Sequence, residues 1–335
     1  MAERDAATVC DSCETILPDA APPTHATSSL PPRPCGDSSS AAAVPPPLPP
    51  VERAPQPPER LEAAGGVAEV AESLAPFAPA MCCPDARWSR QLHDWTCGHV
   101  NLASIMSTLI ARGLAERAGT ADGAPGVRLV QQLVEGAWRE GLDAEGAVLH
   151  GGALVGKRGR KAWLGAVDAL IAMWHVRVES FMVEIVARDG AGDAVHAVGA
   201  ACFAASAAAD VAESEDEDGR GRKRRKHPVH CSRRLPLLLQ HQGHSRLLVG
   251  VLTRPPRVVL YDPADPPNRL RCLAPAALNG RQYQLLCCGE AAPEGGGRLH
   301  LSEAALARRK DGLQGAAAWD RGAWRYAPWC TLRFR

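Results

Sequence analysis

The stretch QLHDWTCGHVNLASIMSTL, residues 91–109, sets Cys97 between a Trp-Thr pair and a glycine. Apolar residues then recur at helical spacing at Leu102, Ile105, Met106, Leu109 and Ile110. A thiol in the first turn of a helix meets unpaired backbone N–H groups and the positive end of the helix dipole. Both favour the thiolate, which is the nucleophilic form. Free cysteines are also among the most buried residue types, so on this segment alone an ordinary core sulfur competes with a reactive one. Gly98 would allow a substrate backbone to approach closely.

A cysteine nucleophile needs a base, and the base needs a group that orients it. The segment LLLQHQGHSRLLVGVLTRPPRVVLYDPADP offers both. His244 stands at the start of an apolar strand, TRPP is a natural turn, and RVVLYD returns to Asp262. If the turn centres near Arg254 and Pro255, Asp262 comes back to within about three positions of facing His244, and a bulge would let imidazole and carboxylate touch across neighbouring strands. A surface histidine and an Asp-Pro turn is the competing reading. His241 is a second candidate base, but the strand that follows His244 fixes that residue's direction better.

Cys10 and Cys13 have CxxC spacing, with His25 and Cys35 downstream. Four such ligands suit tetrahedral zinc. The intervening residues are rich in Pro and Ala and no second pair of metal-finger quality follows, so neither a metal nor another cofactor is expected. The adjacent pairs Cys82–Cys83 and Cys287–Cys288 lack metal spacing.

Around these residues the chain reads as helices first and strands afterwards, an α+β order. GVRLVQQLVEGAWREG and KAWLGAVDALIAMWHV follow the Cys97 helix as further helices, and VRVESFMVEIVARDG alternates as a strand. LPLLLQ, RLLVGVL, RVVLYDP and RQYQLLCC read as strands of a mostly antiparallel sheet. Residues 1–80, which hold half of the 28 prolines within the first 60 positions, read as a disordered leader. The folded domain is expected over 81–290. Within it, a disordered insertion at about 189–232 combines a small-residue tract with ESEDEDGRGRKRRKH. GRKRRKH is a candidate nuclear import signal, with a plain solvated loop as the alternative. Residues 291–335 are a C-terminal extension of open structure.

The formal charge of +1 argues against a surface coated for nucleic acid or membrane. No apolar run approaches the roughly 18 residues of a membrane span. The N-terminus lacks the apolar core of a secretory signal. Twelve cysteines without such a signal point to reduced thiols and to a nuclear or cytoplasmic protein.

The blocks WTCGHVN, AWREGLDAEGA, KAWLGAVDAL, LLLQHQGHSRLLVGV, VVLYDP and RQYQLLCC occur in an order that resembles the ubiquitin-fold-modifier-specific peptidases. Within that family they look most like the zinc-finger-containing ubiquitin peptidase (ZUFSP) branch. The resemblance implies a papain-like cysteine protease fold, with Cys97 as nucleophile, His244 as general base and Asp262 as its orienting group. It also implies modifier-binding roles for Asp143 in GLDAEG and Trp163 in KAWLGA. Asp168 stands where the branch usually carries a glutamate. Carboxylates beside the cleft would suit the arginines of ubiquitin's RLRGG tail. Gln91, six residues before Cys97, is similar in spacing to the oxyanion-stabilising glutamine of papain-like proteases. The branch's tandem zinc fingers and helical ubiquitin-binding arms have no counterpart in the sequence, which leaves linkage and chain-length preference open. The implied function is a thiol isopeptidase that removes ubiquitin from proteins. The alternatives are a protease for the ubiquitin-fold modifier and a non-catalytic module that binds such modifiers.

Overall fold

The computed structural model describes residues 56–62, 66–77, 79–81, 86, 88–111, 126–155, 162–213, 230–231, 234–266, 268–288, 301–304, 306–307 and 329–334. The chain is α+β, with helices packed on a mostly antiparallel sheet. The predicted helices are α2 (Cys97–Ala111), α3 (Val127–Arg139) and α5 (Ala166–His175), with a short α4 (Ala144–Leu149) between the last two. The four predicted late strands are β5 (Leu237–His241), β6 (His244–Thr253), β7 (Pro256–Tyr261) and β9 (Gln282–Cys288). The earlier alternating run is β3 (Ser180–Ala187), and β8 (Arg269–Leu273) is a strand the apolar pattern did not mark.

β5 to β8 run as an antiparallel meander, and β9 then crosses back to pair with β5 on one side and β3 on the other. One layer of the sheet, Met182, Leu286, Leu238 and Leu247, lines up across four strands and is fully buried. Helix α2 covers one face, where Gly98 approaches the Ser245 side chain on β6. The other face receives a helix, α6 (Gly192–Glu213), whose Gly199 comes down on Leu248 and Val251.

Three expectations about the boundaries change. The leader was expected to be disordered to residue 80, yet β1 (Arg60–Glu62) pairs with β8, α1 (Val67–Leu74) buries Val67, Val70 and Leu74, and β2 (Pro79–Met81) pairs with β6. The expected insertion at 189–232 begins as helix α6, with Ala194, Val195, Val198 and Phe203 in the core. Its small residues read as a linker, but alanine is the strongest helix former, and a few apolar anchors suffice to dock it. The C-terminal extension supplies β10 (Trp329–Phe334), parallel to β3, and buries Leu301 and Leu306. The charged run GRKRRKH and the metal candidates Cys10, Cys13, His25 and Cys35 lie outside the described residues. Among the described residues no cluster of three or more His, Cys, Asp or Glu side chains could hold a metal, and no helix is long and apolar enough to cross a membrane.

At Gly192, the first residue of α6, an added Cβ would lie 1.8 Å from the backbone oxygen of Pro275. A Gly192→Ala substitution therefore has to push backbone apart, and overpacking of this kind costs about 1–3 kcal/mol. Urea denaturation should show that loss. Gly126→Ala, where no atom of the described residues lies within 4 Å of the new methyl, should move the midpoint much less.

Candidate active site

Three local structures bring the proposed catalytic side chains together. Cys97 opens α2 and is 1% exposed. The segment before it is pinned to the end of the sheet: Trp88 stacks on Tyr261, the Tyr261 hydroxyl donates to the Ser89 carbonyl, and the Gln91 N–H donates to the Pro263 carbonyl at 2.9 Å. The helix start is thereby carried to the strand that ends beside Asp262.

His244 is placed by the β5–β6 hairpin. His241 faces His244 across a two-residue turn in which Gln242 (φ 46°) and Gly243 (φ 77°) are both left-handed. That is the backbone of a tight hairpin whose twist matches the strands, and glycine adopts it freely. The imidazole is thus fixed directly after a rigid turn. His241 is held elsewhere, stacked on Tyr283 with Nδ1 at 2.8 Å from the Gln282 carbonyl, and it is His244 that meets Asp262.

Asp262 follows β7. The β6–β7 turn falls at Arg254 and Pro255, as expected, and a bulge interrupts the register between Leu248 and Gly250. Extending the pairing from Thr253 and Pro256 without that bulge would set Asp262 opposite Leu247. The extra residue sets it opposite Arg246, one position nearer His244. Asp262 Oδ1 then lies 2.9 Å from His244 Nε2, while Oδ2 accepts from Arg246 Nε at 2.8 Å. The Ala264 N–H donates to Oδ1 at 3.1 Å, and Arg271 stands 4.0 Å from Oδ2.

With Nε2 committed to Asp262, the His244 ring stands close enough to Cys97 for each group to shift the other's pKa. The thiol also lies 3.9 Å from the Gly243 carbonyl oxygen. Burial alone would raise the Cys97 pKa. Hydrogen bonds from His244 and from the backbone and hydroxyl of Ser245, with the charge of His244, outweigh it and bring the thiol below its ordinary value. The hydrogen bond to Asp262, then that to Cys97, lifts His244 to about 9 against the opposing effect of burial. Burial also works against the Asp262 carboxylate, but His244 and Arg246 hold its pKa well below the usual range. Both shifts favour a thiolate–imidazolium pair. Alkylation of Cys97 by iodoacetamide should therefore begin below the pH at which an ordinary thiol reacts, and its profile should bend again near pH 9 as His244 loses its proton. A profile following a single unperturbed thiol would contradict this pairing.

The other sequence-derived residues fall into two groups. Gln91 sits at the edge of the centre beside Pro263, with its buried Oε1 lacking a hydrogen-bond partner. Asp143, Trp163 and Asp168 gather on the helical side. Asp143 caps α4, its Oδ1 accepting from Gly146 N–H at 3.0 Å in a left-handed conformation (φ 51°). Asp168 is buried, and its carboxylate accepts from the Gly165 N–H at 2.8 Å. Burial raises the Asp168 pKa, the Gly165 bond and His150 oppose that, and the nearby Asp143 charge adds to it. Trp163 is 44% exposed. Gly98 is buried: a Cβ there would lie 2.9 Å from the Leu164 carbonyl oxygen, so the glycine lets the 164–165 segment close on the helix start.

Arg246 and Ser245 escaped the sequence reading. Two-residue alternation from His244 was the available signal for Arg246. Ser245 is completely buried, and its hydroxyl donates to Gln240 Oε1 at 2.5 Å. A cleft of about 680 Å³ adjoins the centre, bounded by Gly165 on the helical side and by Gln240, Gln242, Gly243, Arg281 and Gln284 on the sheet side.

A helix-borne thiolate facing a histidine–aspartate pair on an antiparallel sheet is the arrangement of a papain-like cysteine peptidase. Residues 85–267, more than half of the chain, match Peptidase family C78, and the chain belongs to that family. It is 28% identical over 182 residues to zinc finger-containing ubiquitin peptidase 1 of Macaca fascicularis and 27% identical to that of Homo sapiens, in each case over 53% of this chain and 29% of the relative. The chain thus matches under a third of the length of these curated relatives. A crystal structure of UfSP from C. elegans aligns over 60% of this chain and 32% of its own at 11% identity, with a TM-score of 0.33, too slight a likeness to build on.

Proposed function

We propose that the protein is a thiol isopeptidase that removes ubiquitin, including ubiquitin held in chains, from proteins. The observation that carries this reading is that Cys97, at a helix start, stands beside a His244 hydrogen-bonded to Asp262, next to a cleft that Gly243 lines. The Cys97 thiolate attacks the carbonyl carbon of the modifier's C-terminal glycine. The backbone N–H of Cys97 and the Gln91 carboxamide are the donors we assign to the resulting oxyanion. As the tetrahedral species collapses, His244 gives its proton to the leaving lysine amine, and a thioester remains on Cys97. His244, now neutral, takes a proton from water, which attacks the thioester and releases the modifier and the thiolate. Asp262 keeps the imidazole oriented and stabilises its charged form throughout.

Asp168 bonds the N–H of the cleft-lining Gly165, Asp143 lies close enough to act on its carboxylate, and Trp163 exposes its ring, a set of groups that suits a tail carrying arginines. Such a substrate places the protein in the nucleus or cytoplasm. The test is parallel labelling with two probes, ubiquitin and the ubiquitin-fold modifier, each bearing a C-terminal electrophile. A Cys97 adduct with ubiquitin, weakened by Asp143→Asn or Asp168→Asn, supports the reading. Reaction with the other probe alone would move the specificity to the ubiquitin-fold modifier, and binding without any adduct would leave a non-catalytic module.

A further inference from the structure

One cross-strand row of side chains starts beside the proposed catalytic centre, and two of its members, Gln240 and Gln284, line the cleft. Ser245 on β6 pairs with Gln240 on β5, Gln240 with Gln284 on β9, Gln284 with Glu184 on β3, and Glu184 with Thr331 on β10. Two residues further along each of the first four strands, the same face carries the buried apolar layer Leu247, Leu238, Leu286 and Met182. The sheet thus changes from apolar to polar along one line, where the helical layer gives way to Gly165 and the cleft. A polar row over a hydrophobic sheet face costs desolvation unless water or a ligand satisfies it.

The row is only partly satisfied from within. Ser245 donates to Gln240 Oε1, which leaves Gln240 Nε2 uncommitted. Glu184 accepts from Gln282 Nε2 at 2.7 Å and from Thr331 Oγ1 at 3.3 Å, with no cation among these partners. Among the described residues the Gln284 carboxamide makes no hydrogen bond, and both it and Gln240 line the cleft.

We infer that this row is the floor on which the modifier's last residues lie extended, with Gln240 and Gln284 reading its backbone and Glu184 receiving a basic side chain at the far end. The inference rests on the function proposed above and names how that site takes its substrate. A carboxamide offers both a donor and an acceptor, as does each peptide unit, so a glutamine row binds main chain regardless of side chain. Dimensions agree. Three inter-strand steps of about 4.8 Å span about 14 Å from Ser245 to Glu184, the length of about four extended residues. Residues nearest Cys97 would pass between Gly243 and Gly165, where small side chains fit, and the Glu184 carboxylate, bonded to the cleft-lining Gln282 and paired with Gln284, would be reached several residues upstream.

Full-length protein carrying Cys97→Ala, titrated with the peptide Arg-Leu-Arg-Gly-Gly, should bind about five- to tenfold more weakly when Gln284→Leu is added. Glu184→Gln should remove the preference for that peptide over Ala-Leu-Arg-Gly-Gly, a comparison within one variant that a general loss of folding would not mimic. Affinities that ignore both substitutions, or that fall equally for both peptides with Glu184→Gln, would overturn the inference. Should the wild type cleave no modifier conjugate while the peptide still binds in a Gln284- and Glu184-dependent way, the groove stands and the peptidase reading fails. Should conjugates be cleaved with affinities blind to both changes, the groove fails and the peptidase stands.

Discussion

Cys97→Ala is expected to abolish the covalent adduct with a C-terminal electrophilic ubiquitin probe and to lower turnover by at least about 10⁴-fold. Among the described thiols, Cys272, Cys287 and Cys288 have pKa values pushed up, Cys272 to about 11 and Cys288 to about 12 by burial, Cys287 chiefly by its contact with Cys202. None of them stands beside the imidazole of His244. Cys202 has a lowered pKa through its hydrogen bond from Cys287, but its neighbour is that second thiol, with the sulfurs 3.9 Å apart. The probe should therefore be recovered on the Cys97 peptide alone. An equal adduct on the alanine variant would remove the proposed nucleophile, whatever the rest of the geometry suggests. Noncovalent association with ubiquitin should survive, because alanine leaves the cleft walls in place.

Asp262→Asn should cost about 10²–10⁴-fold in kcat/KM. The substitution keeps the volume and removes the charge. His244, lifted to about 9 chiefly by its bond to Asp262, should fall back, which weakens the thiolate–imidazolium pair. A fitting readout is the pH profile of Cys97 alkylation, whose upper bend should move down from near 9. Stability carries the same signature. The Asp262 pKa is depressed by folding, so its contribution is fully present above about pH 4 and fades as pH falls through the folded value. His244 has its pKa raised, so its contribution is complete below about pH 6.5 and disappears as pH climbs to about 9. Wild-type stability should decline across that upper window, and the Asp262→Asn variant should show a flatter response. Unchanged profiles would mean that Asp262 only fills space.

The residues at the chemical centre were legible because their demands are local and specific. Cys97 needs a helix start, His244 a strand after a tight turn, and Asp262 a hairpin return; each of these has a signature in a few neighbouring residues. The bulge between Leu248 and Gly250 was anticipated as a possibility but not placed, although Gly250, a lone glycine inside an apolar strand, marks where it falls. The polar row was not legible at all. Gln240, Gln284 and Glu184 lie on three strands, and their alignment depends on register and on the return of β9 between β5 and β3. Composition misled at α6, where alanine-rich sequence looked like a linker, and at β1, whose three residues RLE carry a single apolar side chain. Gly98 shows the same limit: a glycine beside a nucleophile suggested substrate contact, yet its neighbour is the Leu164 carbonyl.

The placement of β9 has a practical consequence for anyone trimming the gene. The stretch matched to the family stops at residue 267, whereas β9 spans Gln282–Cys288 and stands between β5 and β3. A fragment cut at the family boundary would lack an interior plank of its own sheet. It would bare the amide rows of two inward strands and invite self-association through them. Expression work is better served by a fragment running from residue 56 through residue 334, which keeps both flanking strands as well.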